Sequence, residues 1–153
     1  MFSFKLKLLL AVVMWVCSAD PTTLQEKQNI HKQCQEEYDI SDEVFAEMRN
    51  TEMILEDESD IKKKCTVECL LLGYGMIKDG QLDVTSVLDF AKPMLEHIQQ
   101  EGGEIDEENL KENISKCSDT VSGEEENCTS SYETWVCLHD VMTKLMAGSK
   151  NQE

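Results

Sequence analysis

Residues 61–76, with the sequence IKKKCTVECLLLGYGM, decide the fold. Apolar residues and cysteines recur there at steps of four, four, three and four, which predicts one buried stripe of an α-helix: Ile61, Cys65, Cys69, Leu72 and Met76. Cys65 and Cys69 lie one turn apart on that stripe, so each can reach a different neighbouring segment. We therefore expect this helix to be the centre to which the other segments are attached.

The N-terminus has the features of a secretory signal peptide. Two lysines precede an apolar run over residues 8–16, and the small residues Cys17-Ser18-Ala19 follow it. This run is too short to cross a bilayer, which needs roughly 20 apolar residues. We expect residues 1–19 to be removed and residues 20–153 to form one secreted domain without a membrane span. A retained membrane anchor is the alternative.

The charge of the chain restricts its partners. The chain has 14 Lys and Arg against 31 Asp and Glu, a formal charge of −17, and loss of the two N-terminal lysines makes it −19. A chain this acidic is repelled by phosphate backbones, so nucleic acid is an unfavourable partner. Loss of Cys17 also leaves six cysteines, and this even number predicts a disulfide framework in an oxidising compartment.

Helical spacing of apolar residues continues outside residues 61–76, while proline and glycine are scarce. Helix N-caps are expected at Ser41 or Asp42, at Asp83 and at Asp106. Pro93 is expected to kink or restart the fourth helix, because proline lacks the N–H that the preceding turn needs. The sequence thus predicts a compact all-α bundle of six helices linked by disulfides, with a seventh helix as an open alternative.

The six remaining cysteines have the spacing C-x30-C-x3-C-x47-C-x10-C-x8-C. Spacing alone does not decide which cysteine pairs with which. Zinc binding is a weak alternative, since the chain has no C-x2-C pair. The x3 and x8 gaps, together with the signal peptide, helical pattern and acidity, resemble the insect odorant-binding family, in its pheromone-binding and general odorant-binding group. The resemblance covers essentially all of residues 20–153.

This resemblance implies three disulfides, Cys34 with Cys69, Cys65 with Cys128, and Cys117 with Cys137. It also implies a closed apolar cavity that carries a small hydrophobic ligand, with no metal and no cofactor. An olfactory receptor or a second copy of the chain is a further candidate partner. The moth members of the family have a long C-terminal segment that enters the cavity at low pH. Only seven polar residues follow Met146 here, so we do not expect that switch.

Candidate cavity residues are apolar, aromatic or flexible: Phe45, Met48, Leu72, Met76, Val87, Leu88, Tyr132, Trp135, Val136 and Met142. For each of them, a place in an ordinary core is the alternative. Tyr132 and Trp135 are the candidates for a hydrogen bond to the ligand, with a backbone partner as the alternative for Trp135. The three histidines His31, His97 and His139 are candidates for acid-sensitive ligand release, with ordinary surface positions as the alternative.

No catalytic constellation is evident. The chain contains neither G-x-S-x-G nor H-E-x-x-H, so we do not expect an enzyme. The expected function is that of a secreted carrier, which binds and solubilises odorants or pheromones and delivers them through extracellular fluid. The alternative is a non-olfactory lipid or hormone carrier, or a protein-binding factor, on the same scaffold.

Overall fold

The computed structural model of the protein describes residues 21–120 and 128–149. The predicted signal peptide lies outside these residues. The described part contains six α-helices, which confirms the all-α class: α1 Pro21–Tyr38, α2 Asp42–Asn50, α3 Ile61–Gly73, α4 Val84–Gln100, α5 Glu107–Lys116 and α6 Thr129–Ser149. Two short strands, β1 Ile77–Lys78 and β2 Gln81–Leu82, separate α3 from α4, and a 3₁₀ turn, Cys117–Thr120, follows α5.

Four helices begin at a side chain that accepts a hydrogen bond from a free backbone N–H. Ser41, Asp60, Asp83 and Asp106 each accept from the N–H three residues further on, at 2.9 to 3.3 Å. Such caps satisfy N–H groups that have no partner within the helix. Capping at Ser41, Asp83 and Asp106 agrees with the sequence prediction, and Asp60 adds a cap at the start of α3.

Helix α4 contains Pro93 and does not restart there. Pro93 and Asp89, four residues before it, are both exposed. Water can therefore satisfy the carbonyl group that proline deprives of its helical donor. The helix ends at Gln100; Gly102, two residues later, has a left-handed φ of 85°, and the N–H of Gly103 donates to the carbonyl of Ile98 at 2.9 Å.

The two short strands form an antiparallel hairpin. Ile77 lies opposite Leu82, and the connecting residues Asp79 and Gly80 have φ values of 52° and 71°. Two consecutive residues with positive φ are typical of the turn that matches the twist of a tight hairpin. The hairpin places Met76, which is buried, at the base of α4.

Three disulfides connect the helices. Cys34–Cys69 joins α1 to α3, Cys65–Cys128 joins α3 to the residue before α6, and Cys117–Cys137 joins the 3₁₀ turn to α6. The Cα atoms of each pair are 5.0 to 5.7 Å apart, as expected of disulfides. These are the three pairs that the family resemblance implies. They tie α3 to α1 on one flank and to α6 on the other.

The predicted buried stripe of α3 is wrong at two positions. Ile61 is 54% exposed and Leu72 is 52% exposed, whereas Val67, Leu70 and Leu71 are buried. Because Cys65 and Cys69 hold one side of α3 to α6 and α1, the opposite side of the helix turns inward. That surface carries a second apolar stripe, and the run of three leucines at 70–72 fits either orientation.

The buried side chains form two clusters. The larger contains Tyr132 and Leu138 of α6, Leu110 and Ile114 of α5, and Met48 of α2. The smaller is formed by Cys34, Phe45 and Leu70, where α1, α2 and α3 meet. A cavity remains between α1, α3, α4 and α6, and its wall includes Leu70 of the smaller cluster and Leu138 of the larger.

Candidate functional site

The cavity has a volume of about 610 Å³. Small-molecule sites in proteins typically have volumes of roughly 300–1,000 Å³. Its wall is mainly apolar and combines residues of α3, α4 and α6, among them Val67, Leu71, Val87, Ala91 and Leu138. The lining residues that are exposed mark the mouth, where the cavity meets solvent: Lys27, Arg49, Glu52, Phe90 and Thr143.

Methionine is the most frequent residue of the wall. Five of the six methionines in the described part of the chain line the cavity: Met53, Met76, Met94, Met142 and Met146. The sixth, Met48, lies in the larger core cluster. Unbranched thioether side chains adapt their shape to irregular apolar molecules. The wall therefore suits a flexible hydrophobic ligand.

Of the ten candidate cavity residues, four line the cavity: Met76, Val87, Trp135 and Met142. Met48 and Tyr132 are buried in the larger core cluster, and Val136 packs against it. Leu88 lines a separate cavity of about 260 Å³ between α4 and α5. Phe45 lies in the smaller core cluster and Leu72 is exposed. Cavity walls and closed cores share one apolar pattern, so the sequence did not separate them.

The polar atoms of Tyr132 and Trp135 bind the backbone. The Tyr132 hydroxyl accepts a hydrogen bond from the N–H of Leu55 at 2.8 Å, and this tyrosine is 1% exposed. The Trp135 indole N–H donates to the carbonyl of Glu52 at 3.0 Å. The backbone partner weighed for Trp135 is therefore present. These polar atoms hold the segment between α2 and α3, and a hydrogen bond from either residue to a ligand stays a prediction.

A different polar pair lies in the cavity wall. The His31 Nε2 atom and the Tyr74 hydroxyl are joined by a hydrogen bond. Burial lowers the pKa of His31, and the positive charges of Arg49 and Lys27 lower it further. Burial also raises the pKa of Tyr74 to about 12. Both groups are therefore neutral at pH 7, and each can donate or accept a hydrogen bond.

His31 and Tyr74 belong to a row of four rings. Ring centres are 5.3 Å apart for Phe45 and His31, 6.0 Å for His31 and Tyr74, and 5.0 Å for Tyr74 and Phe90. A cation lies over each end of this row. Lys27 Nζ is 5.5 Å from the Phe90 ring, and the Arg49 guanidinium is 5.8 Å from the Phe45 ring.

The sequence pointed to Tyr74 only as aromatic surface with a possible polar group, to His31 only for pH dependence, and to Lys27 and Arg49 not at all. Arg49 is the single arginine of the chain, which is the one sequence signal that singles it out.

The other two histidines differ in position. His139 lines the cavity, and its Nε2 atom is 2.5 Å from the carboxylate of Glu52. His97 is exposed and lies outside the cavity lining. Any role of the histidines in acid-sensitive release stays a prediction, and the structure makes His31 and His139 the two that could contact a ligand.

Over residues 21–120 and 128–149, no group of three or more His, Cys, Asp or Glu side chains is arranged to hold a metal ion. Within the same ranges, none of the helices combines the length and the apolar character that a bilayer span requires.

Comparison with known proteins identifies the family. The sequence profile described as the PBP/GOBP family matches residues 18–141, which is most of the chain. No curated protein and no solved structure matches this chain. The family consists of small secreted carriers that bind odorants and pheromones, and it is not an enzyme family. Together with six helices, three interlocked disulfides and a central apolar cavity, the profile shows that this chain belongs to the PBP/GOBP family of insect odorant-binding proteins.

Proposed function

We propose that this protein is an extracellular carrier that encloses one small hydrophobic molecule, an odorant or a pheromone, and disperses it in aqueous fluid. The observation that supports the proposal most directly is the 610 Å³ cavity with its methionine-rich wall. Transfer of apolar surface from water into such a wall contributes about 25 cal/mol per Å². The wall offers few polar contacts, so the binding energy comes mainly from burial.

The disulfides explain how a small bundle tolerates this empty space. An unfilled cavity weakens a core, because the surrounding side chains lose packing contacts. The three disulfides close loops with sequence separations of 20, 35 and 63 residues, which restricts the unfolded chain. In the chain-entropy model each contributes about 3–4 kcal/mol, not strictly additively. These contributions offset the packing that the cavity lacks.

A fluorescent apolar probe tests the proposal. The oxidised protein should take up N-phenylnaphthylamine, with a rise in emission that saturates at one probe per chain. Ala91→Trp places a large ring in the cavity wall and should weaken uptake at least about tenfold, because it removes volume that the probe needs. Ala147→Trp is the matched control, since Ala147 is exposed and lies outside the lining.

Circular dichroism and thermal unfolding should show that both variants fold. Absence of uptake by the wild-type protein, across several classes of apolar ligand, would favour a protein-binding factor over a carrier. Equal uptake by the wild type and Ala91→Trp would place the binding site elsewhere. Localisation of the protein to chemosensory or to other tissue separates an odorant carrier from a lipid or hormone carrier on the same scaffold.

A further inference from the structure

Two cations at the cavity mouth have no carboxylate within 4.0 Å among the residues that the structure describes. The described residues include eleven Lys and Arg, and eight of these have a carboxylate within 4.0 Å. A ninth, Lys64, donates a hydrogen bond to Thr129 at 3.4 Å. Lys27 and Arg49 are the other two, and both line the cavity. Acidic residues outnumber basic ones by 31 to 14 in this chain, so the lack of a described carboxylate beside Lys27 and Arg49 needs an explanation.

The charge of the cavity lining is opposite to that of the protein. Its fully charged side chains are Lys27, Arg49 and Glu52, and both of its histidines are neutral in the formal count. The lining therefore carries a formal charge of +1, against −17 for the whole chain. The single carboxylate, on Glu52, is held at 2.5 Å by His139. A cavity of this sign attracts anions in an otherwise repulsive field.

The row of four rings fixes where the two cations lie. Each cation stands over the ring at one end of the row, at 5.5 Å for Lys27 and 5.8 Å for Arg49. Contact with an aromatic face holds an ammonium or guanidinium group without neutralising its charge. The hydrogen-bonded pair of His31 and Tyr74 lies between them in the row. The charges of both cations act on the His31 ring, so all four groups share one neighbourhood.

Resting on the proposed carrier function, we infer that the preferred ligand class is a long-chain carboxylate. Its anionic head binds at the mouth, beside Tyr74 and in the electrostatic field of Lys27 and Arg49, and its apolar tail lies along the methionine-rich wall. A guanidinium binds a carboxylate through two parallel hydrogen bonds, and such charge-assisted bonds are stronger than those to neutral oxygen. A neutral alcohol or ester of equal length fills the same interior without these contacts.

The test compares ligands of one chain length and different head groups. Dodecanoate, dodecanol and methyl dodecanoate each compete with N-phenylnaphthylamine for the oxidised protein at about pH 7.5, where the carboxylate is ionised. We expect dodecanoate to displace the probe at a concentration about tenfold lower than the methyl ester. Raising the ionic strength should reduce this preference, because salt screens charges at an exposed mouth.

The decisive variant is the double substitution Lys27→Met and Arg49→Met, which removes both charges and keeps the length of the side chains. The measure is the ratio of dodecanoate affinity to dodecanol affinity within one protein, and this ratio should fall about tenfold in the variant, whatever change the probe affinity itself undergoes. The matched control, Lys32→Met with Lys62→Met, removes two exposed charges paired with Glu36 and Asp39 outside the lining, and should keep the preference.

The outcomes separate this inference from the proposed function. If the wild type takes up the probe but binds the carboxylate no better than the alcohol, the inference is wrong and the carrier function stands. A preference that survives in the Lys27→Met, Arg49→Met variant overturns the inference as well. Should that variant fail to fold, the salt dependence of the wild-type preference decides, and a preference unchanged by salt counts against the inference. Absence of probe uptake by the wild type overturns both.

Discussion

Two polar clusters line the same cavity, and each contains one histidine and one large aromatic residue. In the tryptophan cluster, Glu52 accepts from the Trp135 indole through its backbone and binds His139 through its carboxylate. In the histidine–tyrosine cluster, His31 and Tyr74 bind one another, and the cations beside them contact only ring faces. The polar atoms of the tryptophan cluster bind one another and the backbone. In the histidine–tyrosine cluster, polar and charged atoms stay available to a ligand.

The backbone explains the difference. Glu52 and Met53 follow α2 with φ values of 54° and 62°, a left-handed conformation that non-glycine residues rarely adopt. Such a turn needs contacts from elsewhere to hold it, and Trp135 and His139 of α6 supply them at Glu52. His31 lies within α1 and Tyr74 is the C-cap of α3, with its N–H bonded to the carbonyl of Leu70 at 2.9 Å, and neither residue has a positive φ. The side-chain hydrogen bonds of Trp135 and His139 thus serve a left-handed turn, whereas those of His31 and Tyr74 do not.

The largest expected effect comes from removing the disulfide beside the histidine–tyrosine cluster. Cys34→Ser with Cys69→Ser opens a loop with a separation of 35 residues and should cost about 4 kcal/mol of unfolding free energy. Cys117→Ser with Cys137→Ser, near the tryptophan cluster, opens a loop with a separation of 20 and should cost about 3 kcal/mol. Urea denaturation measures both. Because Cys34 packs against Phe45 and Leu70, a loss below 1 kcal/mol for the first pair would contradict this account.

Trp135→Phe tests the structural role of the tryptophan cluster. The substitution removes the indole N–H, leaves the Glu52 carbonyl without its donor, and opens space in the wall. We expect a loss of about 2 kcal/mol in unfolding free energy, from the lost hydrogen bond and the lost packing together. Chemical denaturation gives the value. Head-group preference should be unchanged relative to the wild type, and a loss of that preference would assign Trp135 to ligand recognition instead.

Tyr74→Phe is the matching substitution in the histidine–tyrosine cluster. It keeps the ring in the row with His31 and Phe90 and removes only the hydroxyl. We expect a loss in dodecanoate affinity equivalent to about 1 kcal/mol, the usual contribution of one hydrogen bond, with a smaller change in stability. Probe displacement and urea denaturation, run on the same sample, measure both. A stability loss equal to that of Trp135→Phe would show that both clusters have the same structural role.

The smallest expected effect is a pH dependence at His31. The pKa of His31 is lowered below 6.5, so the unfolded chain binds a proton that the folded chain resists. Stability from the neutral imidazole is complete above pH 6.5 and decreases as the pH falls from there toward the lowered value. His31→Gln should flatten this part of the stability profile. His97→Gln, at an exposed position, is the control, and equal flattening by both variants would exclude His31 as the cause.

The features that could be predicted from the sequence are local ones. Helix starts at Ser41, Asp83 and Asp106 were predicted, because a cap is formed within one turn of the chain. The gaps between the cysteines led to the family, and the family to the disulfide pairs that the structure contains. Of the candidate cavity wall, Met76, Val87, Trp135 and Met142 lie where they were expected.

The rest depended on distant contacts. The orientation of α3 follows from its disulfides to α1 and α6, so Leu72 turned outward while Leu71 turned inward. Trp135 meets Glu52 across 83 positions of sequence, and His31 meets Tyr74 across 43. The chain alone thus determined where three of the helices begin, because a cap lies within one turn of its helix, and its cysteine gaps marked the family. Tertiary packing decided which polar groups face the cavity, because their partners come from other helices.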